Sequence, residues 1–189
     1  HYHGVYQRWG LLKKQRRYLE RDHMKRAAYL RRLRELIGRY GSENIVYFDE
    51  TGFVENVRRE SGWAPRGVKV HGDFPGKKQN RTNLIMAQRG KEWLAPILFE
   101  GMCEAVTVVW WIKEHLLKAL TKPSVIVMDN APIHPKGKIR KLLEQHGHTL
   151  LCLPKYSPDL NPIEQSFAVL KKLWITADRN TKIDNLIMC

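Results

Sequence analysis

Residues 45–50 read Ile45-Val46-Tyr47-Phe48-Asp49-Glu50, and residues 125–130 read Val125-Ile126-Val127-Met128-Asp129-Asn130. Each is a short, continuous apolar run rich in β-branched or aromatic residues, the pattern of a strand buried on both faces. Each run ends in an aspartate. A carboxylate just past such a strand sits at the carboxyl edge of a sheet, where α/β folds place their ligands. The alternative for either aspartate alone is a strand stop or a helix cap.

Working outward, residues 11–40 are helix-like, with Ala27, Leu30, Leu33 and Ile37 at spacings of three and four, and Gly38 and Gly41 closing the segment. Residues 58–76 carry many Gly and Pro and read as hairpin and loop. Thr82–Ala87 and Trp93–Phe99 are strand candidates around a turn at Gly90, and Ala105–Leu120 reads as helix. Lys136–His146 is an amphipathic helix, Thr149–Leu153 a third buried strand, and Pro162–Trp174 a helix with Ile163, Phe167, Leu170 and Trp174 on one stripe. Early hairpin strands followed by alternating helices and strands imply an α/β fold, a mixed β-sheet flanked by helices.

Composition narrows the function classes. The chain has 189 residues, 28% charged and 43% hydrophobic, the balance of a soluble globular domain. Its longest apolar run, Val106–Ile112, is too short to span a bilayer, and no signal-peptide pattern is present. A cytoplasmic, nucleoid-associated location and no membrane partner follow as expectations. Cys103, Cys152 and Cys189 show no paired spacing and read as reduced thiols. The chain opens at His1 in a basic stretch, as a piece of a longer polypeptide would.

The net charge is +14, and residues 1–40 carry twelve basic but only three acidic side chains. One-sided positive charge points to a nucleic-acid partner rather than a small-molecule substrate. Arg26, Arg31, Arg32 and Arg34 on the first helix are candidate phosphate contacts, as are Lys77, Lys78, Arg81, Lys155, Lys171 and Lys172. Solvated side chains are the alternative for each. Trp63 and Trp93 suit either base stacking or core packing. His146 and His148 lack companions for a zinc site.

The third acid lies in Tyr156-Ser157-Pro158-Asp159-Leu160-Asn161-Pro162-Ile163-Glu164. Pro158 and Pro162 stiffen a turn, Asn161 is a good N-cap, and Glu164 then falls in the first turn of the last helix. Glu50 follows Asp49 in an extended strand, so it should point the opposite way and is not counted as a ligand.

These blocks, with Asp129-Asn130-Ala131-Pro132-Ile133-His134 and Gly62-Trp63-Ala64-Pro65-Arg66-Gly67, resemble the motifs of DDE transposases of the mariner-like superfamily, including its bacterial insertion-sequence branch. Thirty-four residues separate Asp129 from Glu164, a spacing typical of that superfamily. The resemblance implies a ribonuclease-H-like fold and a metal site on Asp49, Asp129 and Glu164. It implies two Mg²⁺ ions, with Mn²⁺ able to substitute, and DNA as substrate, cleaved at transposon ends and joined to a target. Hard divalent cations prefer oxygen ligands, which is why a few carboxylates suffice.

Asn130, His134 and Asn161 would support the site; for His134 a plain polar residue opening a helix is the alternative. The family also implies a homodimer on paired ends. Residues 1–40 would be the tail of a DNA-binding region or a linker, and residues 41–189 the catalytic domain. A nuclease of the same fold without strand transfer, or an inactive DNA-binding remnant, are the competing readings. Electrostatics adds an expectation: three converging carboxylates should raise at least one pKa, and Asp129→Asn should stabilise the metal-free protein.

Overall fold

The computed structural model describes residues 19–54, 80–177 and 181–187. The elements run α1 (His23–Tyr40), β1 (Ile45–Val54), β2 (Arg81–Arg89), β3 (Glu92–Glu100) and α2, which begins as Ala105–Trp111, passes through a π-helical turn at Ile112–Leu116 and ends at Leu117–Ala119. They continue β4 (Val125–Met128), α3 (Lys136–Gln145), β5 (Thr149–Cys152), α4 (Ile163–Thr176) and the short α5 (Ile183–Ile187). The segment 58–76, the Gly62–Gly67 motif, Trp63, Lys77, Lys78 and Cys189 lie outside the described residues.

One five-stranded sheet has the order β3-β2-β1-β4-β5. The β1–β2 and β2–β3 pairs are antiparallel, while β1–β4 and β4–β5 are parallel. The sheet is mixed for a simple reason. Gly90, at φ 59°, closes a tight β2–β3 hairpin, whereas α2 and α3 cross over before β4 and β5.

Alternation along the strands sorts the core into two sides. Val46, Phe48, Ile126 and Met128 pack under α2 and α3 with Trp111, Ile112, Leu116, Ile139 and Leu143. On the other side, Phe53, Leu84 and Met86 meet Ile163, Phe167 and Leu170 of α4. Also on that side, Ile45, Val125 and Val127 meet Tyr29 and Leu36 of α1. The described part of the basic segment is thus packed on the sheet. Its buried stripe centres on Tyr29 and Leu36 rather than on Ala27, which is exposed.

A bulge in β3 sets two residues, Ala95 and Pro96, opposite Met86. Ala95 takes φ 49° there and turns its carbonyl to the Trp111 indole N–H, at 2.8 Å. Trp93 packs against the α4 side of the core, which leaves it a structural tryptophan. Among the described residues, no helix is long and apolar enough to cross a membrane.

The first apolar run does not stop at Asp49. Beyond Tyr47 it loses its partner β4, but it stays paired with β2 as far as Val54↔Arg81, so the strand continues. A polar residue is therefore not a strand end here. The ladder on the opposite edge overrides that preference.

Candidate active site

The parallel register Ile45↔Val125, Val46↔Ile126, Tyr47↔Val127, carried on two residues, sets Asp49 level with Asp129. Both carboxylates therefore leave the sheet where β4 ends and a crevice opens beside β1. Asp49 shares the strand face of Ile45 and Tyr47, the side covered by α1 and α4. Glu164 enters from the first turn of α4, whose buried Ile163 and Phe167 pin it to the sheet.

Asp49, Glu50, Thr51, Asp129, Glu164, Phe167, Ala168 and Lys171 line one cleft of about 440 Å³. A second cleft, about 320 Å³, is lined by Asp129, Asn130, Ala131, Pro132, the 153–158 loop, Asn161 and Glu164. Asp129 and Glu164 belong to both, so they stand on the ridge where the two clefts meet.

Each acid has a different electrostatic setting. The Asp49 carboxylate accepts the Glu50 backbone N–H at 2.8 Å and the Asn161 Nδ2–H at 3.0 Å. Burial, followed by the neighbouring Glu50, Asp129 and Glu164 charges, nevertheless pushes its pKa up to about 7. Glu164 is also raised, by burial and by Asp129, against the opposing charge of Lys171. Asp129 goes the other way. Burial pushes it up, but hydrogen bonds from His134 and the Ala131 N–H, with the charges of His134 and Lys136, leave it below the ordinary carboxylate value. The expected shift thus falls on Asp49 and Glu164, and Asp129→Asn is no longer expected to stabilise the metal-free protein.

His134 explains the difference. Its Nε2 lies 3.1 Å from Asp129 Oδ1 and 3.7 Å from Glu50 Oε2, and the side chain is only 5% exposed. Burial lowers its pKa, but the Asp129 hydrogen bond and the charges of Glu50, Asp129 and Asp49 outweigh that and raise it. Glu50 does face away from Asp49, as strand alternation requires, yet it stays at the site by meeting His134. That role was missed; the adjacent acids Asp49-Glu50, one per strand face, were its signal in the sequence.

As a helix cap, Asn161 departs from expectation. Its side chain reaches Asp49 and makes no cap to α4, which starts at Ile163 behind Pro162. Asn130 lines the second cleft and accepts Lys136 Nζ at its carbonyl, at 3.3 Å. Lys136 is a second residue sequence reasoning missed.

The candidate phosphate contacts divide. Lys155 and Lys171 line the clefts. Lys172, one residue further round the helix, is exposed but turned away from the cleft face of α4. Arg81 donates to Asn83 Oδ1 at 3.0 Å and lines a separate cleft with Glu50, Met102 and Cys103. Arg31 and Arg34 are exposed, and Arg32 pairs with Glu35 at 2.9 Å. Arg26 is the correction: its guanidinium grips Asp159 with both Nη atoms, at 3.1 and 2.8 Å, and its side chain is only 16% exposed. The histidine pair is structural, with His148 Nδ1 accepting the Ser124 N–H and His146 Nδ1 beside the Leu142 carbonyl.

The model of one family, described as DDE superfamily endonuclease, matches residues 44–187. The chain belongs to that family. Among solved structures it is similar to the Mos1 mariner paired end complex with Mn, at TM-score 0.71 and 20% identity, covering 99% of this chain and 60% of that one. It is also similar to the Mos1 transposase paired-end complex with left transposon end, at 0.66 and 21%, covering 90% and 55%. The Mos1 strand transfer complex matches at 0.65 and 19%, covering 98% and 65%. At these identities the likeness establishes the ribonuclease-H-like fold, and the chain spans about 55% of the length of the first of the paired-end transposase chains. Comparison with curated proteins gives no match.

The three carboxylates have the donor chemistry for hard divalent cations: oxygens from three elements, two of them held above their ordinary pKa by burial and by neighbouring negative charge. Among the described residues, no three His, Cys, Asp or Glu side chains already stand close enough to ligate one ion. Asp129 is instead turned onto His134 and the Ala131 N–H, at 3.1 Å each.

Proposed function

We propose that this chain is the catalytic core of a DNA transposase, cutting DNA at transposon ends and joining the cut strand to a target. The observation that carries the reading is the cleft shared by Asp49, Asp129 and Glu164, delivered by β1, the end of β4 and the first turn of α4. Family membership and the fold shared with Mos1 transposase complexes support it.

Asp49, Asp129 and Glu164 would hold two divalent ions, Mg²⁺ or Mn²⁺. Such ions activate an attacking oxygen and stabilise the leaving oxygen of an in-line phosphoryl displacement. The protein's own groups prepare for this. Asn161 and the Glu50 amide hold Asp49 in one orientation. His134 holds Asp129, and Glu50 holds His134, a second layer of the kind that orients ligating carboxylates. Lys171 and Lys155 at the cleft walls would balance phosphate charge. DNA is the substrate, and two copies acting on paired ends within a bacterial nucleoid complete the reading, with residues 1–40 linking to end recognition and residues 41–189 carrying the chemistry.

An assay of strand cleavage and strand transfer on end-bearing DNA, with and without Mg²⁺ or Mn²⁺, tests it. Metal-dependent cutting and joining are expected, and Asp49→Ala, Asp129→Ala and Glu164→Ala should each lose them by about 100-fold or more. Cutting without joining would support a nuclease of the same fold. Activity within about threefold of wild type in any one variant would remove that residue from the site.

A further inference from the structure

Asp159 sits in the 3₁₀ turn Pro158–Leu160, two residues before Asn161 and five before Glu164. Its carboxylate is gripped by two arginines, Arg21 just before α1 and Arg26 in its first turn. Arg26 takes Oδ1 and Oδ2 through its two Nη atoms, and Arg21 Nη2 reaches Oδ1 at 2.7 Å. The arginine side chains are 14% and 16% exposed and the Asp159 carboxylate 43%, so it is the bidentate, two-arginine geometry rather than burial that sets this cluster apart from a simple surface pair. The next residue, Leu160, packs into the apolar cluster of Tyr29 and Leu36, and so does Leu153 at the other end of the loop. Both ends of the 153–160 loop are therefore seated on α1.

Hydrogen bonds carry that placement onward. The Asn161 N–H donates to the Pro158 carbonyl at 2.9 Å, and the Glu164 N–H to the Asn161 carbonyl at 3.2 Å. From this ladder Asn161 reaches Asp49. Part of the positive charge at the start of α1 is thus neutralised inside the molecule.

We propose that Asp159 is a positioning residue: by gripping Arg21 and Arg26 it fixes the turn from which Asn161 reaches Asp49 and Glu164 enters the cleft, so that α1 is the seat of the catalytic loop. The inference rests on the catalytic reading above for its activity arm only.

The test uses Asp159→Asn, Arg26→Gln and the double variant of the whole chain. Amide hydrogen exchange at Asn161 and Glu164 should quicken by about tenfold in each, with Ile126 and Val127 unchanged. The Mn²⁺ midpoint for DNA cleavage should rise by roughly tenfold, and the rate at saturating DNA should fall by about ten- to a hundredfold. For Asp159→Asn the KM for DNA should stay within about twofold. The double variant should be no slower than the worse single one, because both changes break the same link. Lower melting temperatures with unchanged exchange at Asn161 and Glu164 and unchanged cleavage would overturn the proposal, since the cluster would then only hold α1 down. Tighter DNA binding by Asp159→Asn with normal cleavage would overturn it too, since the arginines would then serve DNA. A wild-type chain that fails to cleave would sink the catalytic reading and leave hydrogen exchange to decide the clamp.

Discussion

Asn161 donates through Nδ2 to Asp49 Oδ2 across 3.0 Å, while its own Oδ1 is buried and finds no partner among the described residues. An amide held by only one of its ends can turn over. With Asp49 charged, the donor faces the carboxylate; with a neutral, donating group at position 49, the acceptor can take its place. Such a turnover would let the site keep this hydrogen bond when the charge at position 49 is removed.

Asp49→Asn should therefore stabilise the metal-free protein near pH 8 and do little near pH 4. A carboxyl whose pKa rises on folding, here from 3.8 to about 7, favours the native state while protonated. That contribution is complete below the unfolded value and disappears as pH rises through about 7. The linkage is at most about 4 kcal/mol, and cleft water reduces it. A rise of about 2–8 °C in melting temperature at pH 8 in EDTA is expected for a chain of this size. A fall at pH 8 would mean that Asp49 is stabilised as an anion.

Asp129→Asn should act in the opposite sense. Asp129 is lowered on folding, so its contribution exists above the unfolded value and is lost as pH falls through the folded one. His134 is raised, so its contribution exists below 6.5 and is lost as pH climbs through the folded value. Between those limits the pair is ionised and helps hold the loop after β4. Removing the anion from a 5%-exposed imidazole should cost up to about 1–3 kcal/mol in urea unfolding near pH 6, reduced by the 41% exposure of Asp129 and by Glu50 at 3.7 Å. Equal or greater stability would show that the His134 contact is incidental.

Arg31→Gln with Arg34→Gln should flatten the salt dependence of DNA binding, by roughly 0.9 in log–log slope for each phosphate no longer neutralised. Both side chains are exposed. Arg26→Gln should leave the slope alone, because its guanidinium is already engaged by Asp159. Binding titrations across a range of KCl concentrations separate the two; a slope change with Arg26→Gln alone would reverse the assignment.

Ile163→Ala removes a fully buried side chain beside Glu164 and should cost about 2–5 kcal/mol. In the protein that remains folded, the Mn²⁺ midpoint for cleavage should rise, because the same side chain anchors the helical turn that carries the carboxylate. An unchanged midpoint would show that Glu164 is positioned by the preceding loop alone.

Much of the fold was legible because its signals are local. Val125–Met128 and Ile45–Phe48 are short apolar runs rich in β-branched or aromatic residues, the pattern of buried strands, and the Ile163-Phe167-Leu170 stripe has the spacing of a helix packed on one face. The three candidate acids stood out for the same reason, two lying one residue beyond a strand-like run and Glu164 in the first turn of a helix opened by Pro162. The positive charge of the first segment was legible too, but only as a sum.

What each charge does depends on partners far away in the chain. Arg26 meets Asp159 across 133 positions, Asn161 meets Asp49 across 112, and no periodicity records such pairs. The same holds for the direction of each pKa shift. Three similar carboxylates diverge because His134 reaches one of them, while burial and like charge act on the other two. Strand and helix patterns follow from short-range sterics and apolar periodicity, so the sequence by itself determined most of the elements and the mixed α/β class, and it singled out the three acids as candidates. Hydrogen bonds and Coulomb forces act through space, so only the tertiary structure decided which basic groups are engaged by acids, as Arg26 is, and which carboxylates are pushed up in pKa.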